Sequence, residues 1–169
     1  MNSNGLKKHL MKLAIAHQDM QAALATCDFI LSNEQKIKDR LLDSLKTAII
    51  ICYARPFTDN EQLGALSSGY AHFDDTKHMQ IHQNLLEARK KTYAHSDLSA
   101  RKVTIHPPNN ENEFFSISVG FLELANFMIK DVKDVIMELD KKISKDIVDV
   151  MKKLFGAEGI PKDSIELKI

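Results

Sequence analysis

The chain is short of several things that define whole protein classes. It has two cysteines in 169 residues, Cys27 and Cys52, with no C-x-x-C spacing and no third partner. That excludes a disulfide framework and the usual zinc modules, and leaves two small apolar side chains on helices. No repeat and no low-complexity tract interrupts it. Charge of either sign is not in excess, since 23 Lys and Arg balance 23 Asp and Glu. The molecule as a whole therefore recruits neither nucleic acid nor an anionic membrane, and any such contact must use a local patch. The longest apolar run, from Thr47 to Ala54, is far too short to span a bilayer, and Met1–Gly5 lacks the charged start of a targeting segment. The expectation is a single domain over 1–169, with no membrane contact, located in the cytoplasm, with 1–5 and 157–169 as flexible or irregular ends.

What is present is helical periodicity. Leu6, Leu10, Leu13, Met20, Leu24, Cys27 and Leu31 recur by threes and fours, with His17 as a hydrogen-bonded residue in the seam, which predicts one long helix. Ser32-Asn33-Glu34-Gln35 has the form of a capping box and predicts a second helix from Asn33 to Ala54. Its buried stripe is expected to be Ile37, Leu41, Leu45, Ala48 and Cys52, and Pro56 stops it. It turns apolar nearly all round toward its end, as a helix does when it is central in a bundle or shared with another subunit.

The stretch from Pro56 to Asp75 is long for a loop. Thr58-Asp59-Asn60-Glu61 predicts a short helix through Leu66, broken by Ser67-Ser68-Gly69, while Phe57, Leu63, Leu66, Tyr70 and Phe73 pin the segment to the bundle as a flap. Asp74-Asp75-Thr76 caps a third helix, from Lys77 to Tyr93 or His95, burying Met79, Leu85, Leu86 and Tyr93. Period-two alternation over 101–106 and 113–119 predicts a small β-hairpin. A last helix runs from Gly120 to Phe155, ended by Gly156, with its mixed Lys and Asp residues forming a solvated face. His72, His78 and His82 invite a metal reading, but no carboxylate–histidine motif surrounds them, and the His78–His82 spacing is that of a solvated helix face, so neither metal nor cofactor is expected.

The densest chemistry lies in Leu85-Leu86-Glu87-Ala88-Arg89-Lys90-Lys91-Thr92-Tyr93-Ala94-His95-Ser96-Asp97. Arginine stays charged and grips phosphate through a planar fork, whereas histidine exchanges a proton near pH 7. On one ideal helix, Arg89 and His95 point about 120° apart with about 9 Å of rise between them. Either the helix unwinds before His95 or the site is built between two copies. A plainer alternative pairs Arg89 with Glu87 or Asp97 and leaves His95 as a favourable charge near a helix C-terminus.

Arg89, five intervening residues and His95 resemble the R-x(4-6)-H signature of HEPN domains, and Ala54-Arg55-Pro56-Phe57 is similar to the same segment of AbiU-like and related bacterial members. The resemblance implies an all-α, antiparallel HEPN-like bundle of four to five helices, here with a small β-hairpin before the last long helix. It implies a homodimer that cuts RNA without metal in a toxin–antitoxin, stress or phage-defence setting, with an antitoxin protein as a further partner. Arg89 and His95 would be catalytic. Lys90, Lys91, Tyr93, Asp97, Arg55 and Arg101 would contact substrate. Two departures stand out: Lys90 follows the arginine where many members carry an uncharged or acidic residue, and Asp97 stands where one branch has a tyrosine. The alternative is a non-catalytic helical module that binds RNA or protein.

Overall fold

The computed structural model describes residues 3–59, 63–90, 101–106, 116–121 and 128–156. Four α-helices carry the architecture: α1 (Ser3–Asn33), α2 (Asp39–Ala54), α3 (Thr76–Arg89) and α4 (Ile129–Phe155). Each packs on the next and α4 returns to α1, closing a ring. Contacts fix the directions. His17 and Asp28 of α1 meet Asp140 and Lys133 of α4, so the two run antiparallel. Arg55, just past α2, reaches back to Asp19 of α1, and His78 of α3 meets Glu138 of α4 below the contact of His72 with Lys142. The result is an up-down-up-down bundle, and the chain is mainly helical. No helix among the described residues is long and apolar enough to cross a membrane.

α4 shows why the bundle closes. Val132, Val135, Ile136, Leu139, Ile143 and Val150 recur at helical spacing and are all buried. Each full burial stabilises by roughly 1.5–3 kcal/mol before chain entropy is counted. Lys152 and Lys153 in the last turn suit the negative end of the helix dipole. Gly156 then adopts φ 79°, a left-handed angle that a glycine takes without steric penalty, and its N–H closes on the Lys152 carbonyl.

Several local expectations change. Ser32–Gln35 does not start α2: α1 continues through Asn33, whose side chain donates back to the Phe29 carbonyl, and Lys36 and Ile37 N–H groups close on the Asn33 carbonyl. The segment is a helix stop, and α2 begins at Asp39 with no side-chain cap. Thr58 bonds back to the Ala54 carbonyl instead of capping forward. Ser68–Ala71 forms a short 3-10 turn where a break was expected. Leu66, Tyr70 and Phe73 are buried and Phe57 packs against the core, so the loop is pinned as its apolar residues imply. Asp75 does cap α3, accepting from the Lys77 and His78 N–H groups.

Arg101–His106 (β1) pairs antiparallel with Ser116–Phe121 (β2), Arg101 opposite Phe121. Gly120 and Phe121 thus belong to a strand, and the last helix starts at Ile129, later than its apolar spacing suggests.

Candidate functional site

Arg89 is the last residue of α3 and is half-buried. Lys90 caps the helix in an αR conformation, its N–H shared between the Leu86 and Glu87 carbonyls, and its side chain is exposed. Lys91, Tyr93, His95 and Asp97 lie outside the described residues, as does the expected end of the helix between Tyr93 and His95. Arg101 opens β1.

Arg55 is not at that end of the bundle. Because α2 and α3 are antiparallel and Tyr53 meets His82, passing along α3 from His82 to Arg89 covers about 10 Å toward the start of α2, away from Arg55. Arg55 instead gives Asp19 a 2.6 Å charge-assisted hydrogen bond. Asp19 is only 5% exposed, and its Oδ2 is the one buried side-chain oxygen or nitrogen among the described residues with no hydrogen-bond partner. Burial raises the pKa of this carboxyl above the usual carboxylate range, and Arg55 opposes the rise. The pair anchors the end of α2 to α1, which is a structural role.

The most buried polar contact was not legible from the residues. His82, placed on a solvated face by its spacing from His78, is 3% exposed and shares a 2.8 Å hydrogen bond through Nδ1 with the Tyr53 hydroxyl. The rings of Phe57 and Phe73 lie 4.9 and 5.4 Å from it. Burial lowers the pKa of His82 and raises that of Tyr53, so both are neutral at pH 7. The available signal was the helical spacing of His82 with Leu85 and Ala88, both buried. His78, one turn earlier, bonds Glu138 at 2.8 Å, and Glu138 also takes Lys142 at 2.7 Å. Burial pushes the Glu138 carboxyl up, but the hydrogen bonds from Lys142 and His78 outweigh it and hold the group low. Each histidine of the pair thus has a protein partner. No group of three or more His, Cys, Asp or Glu gathers as a metal site among the described residues.

His17 is not in the core; it bonds Asp140 at 2.7 Å with its side chain 40% exposed. Of the α4 charges expected to face solvent, Lys130, Lys141 and Lys145 are exposed, whereas others reach neighbouring elements: Asp131 to Lys77, Lys133 to Asp28, Asp140 to His17 and Gln21, and Asp146 to the Tyr70 hydroxyl.

Fold and site together define an antiparallel helical bundle whose third helix delivers an arginine to one end. No family model, curated protein or solved structure matches the chain.

Proposed function

We propose that the chain is a metal-independent endoribonuclease of the HEPN type. The observation that supports this reading is the placement of Arg89 on the closing residue of α3, in an up-down bundle, six residues ahead of His95. In the reaction, a ribose 2′-hydroxyl attacks the adjacent phosphorus and the 5′-oxygen leaves, giving a 2′,3′-cyclic phosphate and a free 5′-hydroxyl. His95 takes the proton from the attacking hydroxyl or returns one to the leaving oxygen, and Arg89 holds the phosphoryl oxygens as charge develops. Lys90, Lys91 and Arg101 supply phosphate contacts that the zero net charge does not. Tyr93 and Asp97 complete the set of substrate contacts, and Arg55, engaged with Asp19 away from that end of the bundle, is not among them. A homodimer, an antitoxin partner and a bacterial defence or stress setting belong to the same proposal.

The test is incubation of the purified protein with total RNA in EDTA beside His95→Ala and Arg89→Ala variants. Cleavage that resists EDTA and falls by about 10²- to 10⁴-fold in His95→Ala supports the reading. Equal background from all three proteins refutes it. A second reading, a non-catalytic interaction module, draws on a different observation, the exposed apolar surface of α1 and α2.

A further inference from the structure

The two ends of the bundle do not share charge evenly. α1 holds Lys7, Lys8 and Lys12 but no acid before Asp19, and α4 after Asp140 sets Lys141, Lys142, Lys145, Lys152 and Lys153 against Asp146 and Asp149. Because the two helices run antiparallel, these stretches lie side by side, at the end of the bundle away from Arg89. Along α4, about 25 Å separates Ile129, near that other end, from Asp146. A chain of zero net charge thus carries a local positive excess, and that is where an anion is drawn.

A cleft opens there in two lobes that share His9 and Asp146. One, with a volume of about 480 Å³, lies against the 3-10 turn and is lined by Ser67, Tyr70, Lys142 and Lys145. The other, of about 610 Å³, has Leu6 and Val150 as its apolar lining, with Asp149 and Lys153 beside them. Both volumes fall in the range of small-molecule sites, about 300–1,000 Å³. Elsewhere on α4, Asp131, Lys133, Glu138 and Asp140 close on neighbouring helices. In the cleft, His9, Lys145, Asp149 and Lys153 make no hydrogen bond or ion pair among the described residues. Yet Lys145, Asp149 and Lys153 follow one another at the four-residue spacing that normally pairs opposite charges on a helix.

The polar groups of the cleft are sorted by sign. Donors stand beside the turn: the Lys145 ammonium, the Ser67 hydroxyl, His9, and Lys142, two of whose three protons go to Glu138 and the His72 carbonyl. Burial, with Lys12 and Lys153, lowers the pKa of His9 against the pull of Asp146, so its ring is neutral at pH 7 and offers one N–H. Acceptors stand in the other lobe: the Asp149 carboxylate, and the oxygen of Asp146 that the Tyr70 hydroxyl leaves open.

We propose that this cleft binds a small phosphate monoester of a polyol, such as a sugar phosphate, with the phosphate between Lys145 and His9 and the hydroxyls on Asp149 and Asp146. The sorting of groups selects that class. Ammonium and imidazole N–H groups suit phosphate oxygens, whereas carboxylates repel a second anion and accept from hydroxyls. A short carbon chain can lie on Leu6 and Val150, but that lobe has no aromatic ring on which a nucleobase would stack. The site is argued from α1, α4 and the 3-10 turn alone and stands whether or not RNA is cut.

The experiment is calorimetric titration of the full chain at pH 7 with ribose 5-phosphate, glucose 6-phosphate and glycerol 3-phosphate, beside ribose, inorganic phosphate and AMP. At least one of the first three is expected to saturate with a Kd below about 1 mM, and about tenfold or more below those of ribose, inorganic phosphate and AMP. Lys145→Glu is expected to weaken that ligand by about tenfold or more, since it replaces an attraction with a repulsion. Asp149→Asn should weaken the same ligand and leave inorganic phosphate unchanged. Lys141→Glu, exposed on the same helix but outside the cleft, is the charge control and keeps the wild-type affinity. Helical circular dichroism should be unchanged in all three variants. Failure of all three polyol phosphates to saturate at about 10 mM overturns the proposal. So does inorganic phosphate or AMP that binds as tightly, an Asp149→Asn variant with wild-type affinity, or a loss in Lys141→Glu equal to that in Lys145→Glu.

Discussion

The outer sides of α2 and α4 differ more than the helices themselves do. The two run parallel to each other, each antiparallel to α1, and each buries an apolar stripe. The outward side of α4 is charged, and many of those charges reach neighbouring helices: Asp131 to α3, and Lys133 and Asp140 to α1. On α2 the exposed charges, Asp39, Arg40 and Asp43, are confined to its first turns, and from Ala14 to Ala25 the exposed positions of α1 are uncharged. Surface ion pairs of this kind add little stability each, typically under about 1 kcal/mol. Their effect is better understood as orientation, since a like-charged misfit costs more than a correct pair gains. α4 is thus oriented by charges as well as by its apolar stripe. α2 is oriented chiefly by apolar contact, with Ile49, Ile50 and Tyr53 buried and, along the seam of Leu41, Leu45, Ala48 and Cys52, Leu45 and Cys52 packed against the core in part.

The comparison breaks most visibly through the core. Leu139→Ala, on the inner stripe of α4 at 0% exposure, is expected to cost about 2–5 kcal/mol, while Leu41→Ala on the α2 seam stays within about 0.5 kcal/mol in dilute protein. Urea unfolding of both variants at low concentration makes the measurement. Equal losses would mean that Leu41 is part of the single-chain core after all.

A smaller effect sharpens the same contrast at the inner side of α2. Tyr53→Phe leaves His82 Nδ1 buried without its hydroxyl partner and should cost about 1–3 kcal/mol, whereas Tyr53→Phe with His82→Leu removes both polar groups and costs less. The pH dependence gives the sign. Burial holds the folded-state pKa of His82 below its ordinary 6.5. Above that value, folded and unfolded chains both carry a neutral ring. As pH falls through it, the unfolded chain takes up a proton that the folded chain refuses, so stability drops until the lowered folded-state pKa is passed. His9, also lowered by burial, shares this sign and remains in the double variant. The expected result is therefore a shallower loss of melting temperature between pH 7 and about pH 5.5 in the double variant than in the wild type. Parallel slopes would remove His82 as the cause.

These regions also divide what the residues disclosed from what they did not. Some stops and caps were readable because they depend on one residue's own chemistry: Asp75 caps α3 and Gly156 terminates α4. α2 ends two residues before Pro56, although Arg55 keeps αR angles, whereas the capping boxes at Ser32 and Thr58 did not start helices. The choice between two apolar stripes on α2 was not readable, since period alone does not say which neighbour a stripe meets. The regular stripe is core in part: Ile37, Leu45 and Cys52 pack against the buried cluster, while Leu41 is exposed, and the spacing does not say which members meet a neighbour. His82 was misplaced for a related reason: a histidine four residues from another reads as polar until a buried hydroxyl 29 positions upstream is known to face it. Asp19 gave no signal either, being one acid in a polar triplet of α1. As for the Arg89–His95 motif, Arg89 is placed and His95 lies outside the described residues, so the site rests on the resemblance and on one of its two side chains.

The smallest effect is a rate, and it reads how far the seam of α2 is covered. Cys27 faces the core of α1 at 0% exposure, and burial pushes its thiol up to about 12. Cys52 lies on the α2 seam, half-buried, its thiol also raised by burial, with Arg55 opposing and Asp19 adding to the rise. A thiol-reactive probe at mildly alkaline pH should therefore modify Cys52 in the native protein and Cys27 only on unfolding. If copies pair through the seam, Cys52 is covered in the pair, and its labelling rate per chain should rise as the protein is diluted through the dissociation range. Cys27 should not respond to dilution. A Cys52 rate independent of concentration, in protein whose mass does double, would place the pairing surface elsewhere.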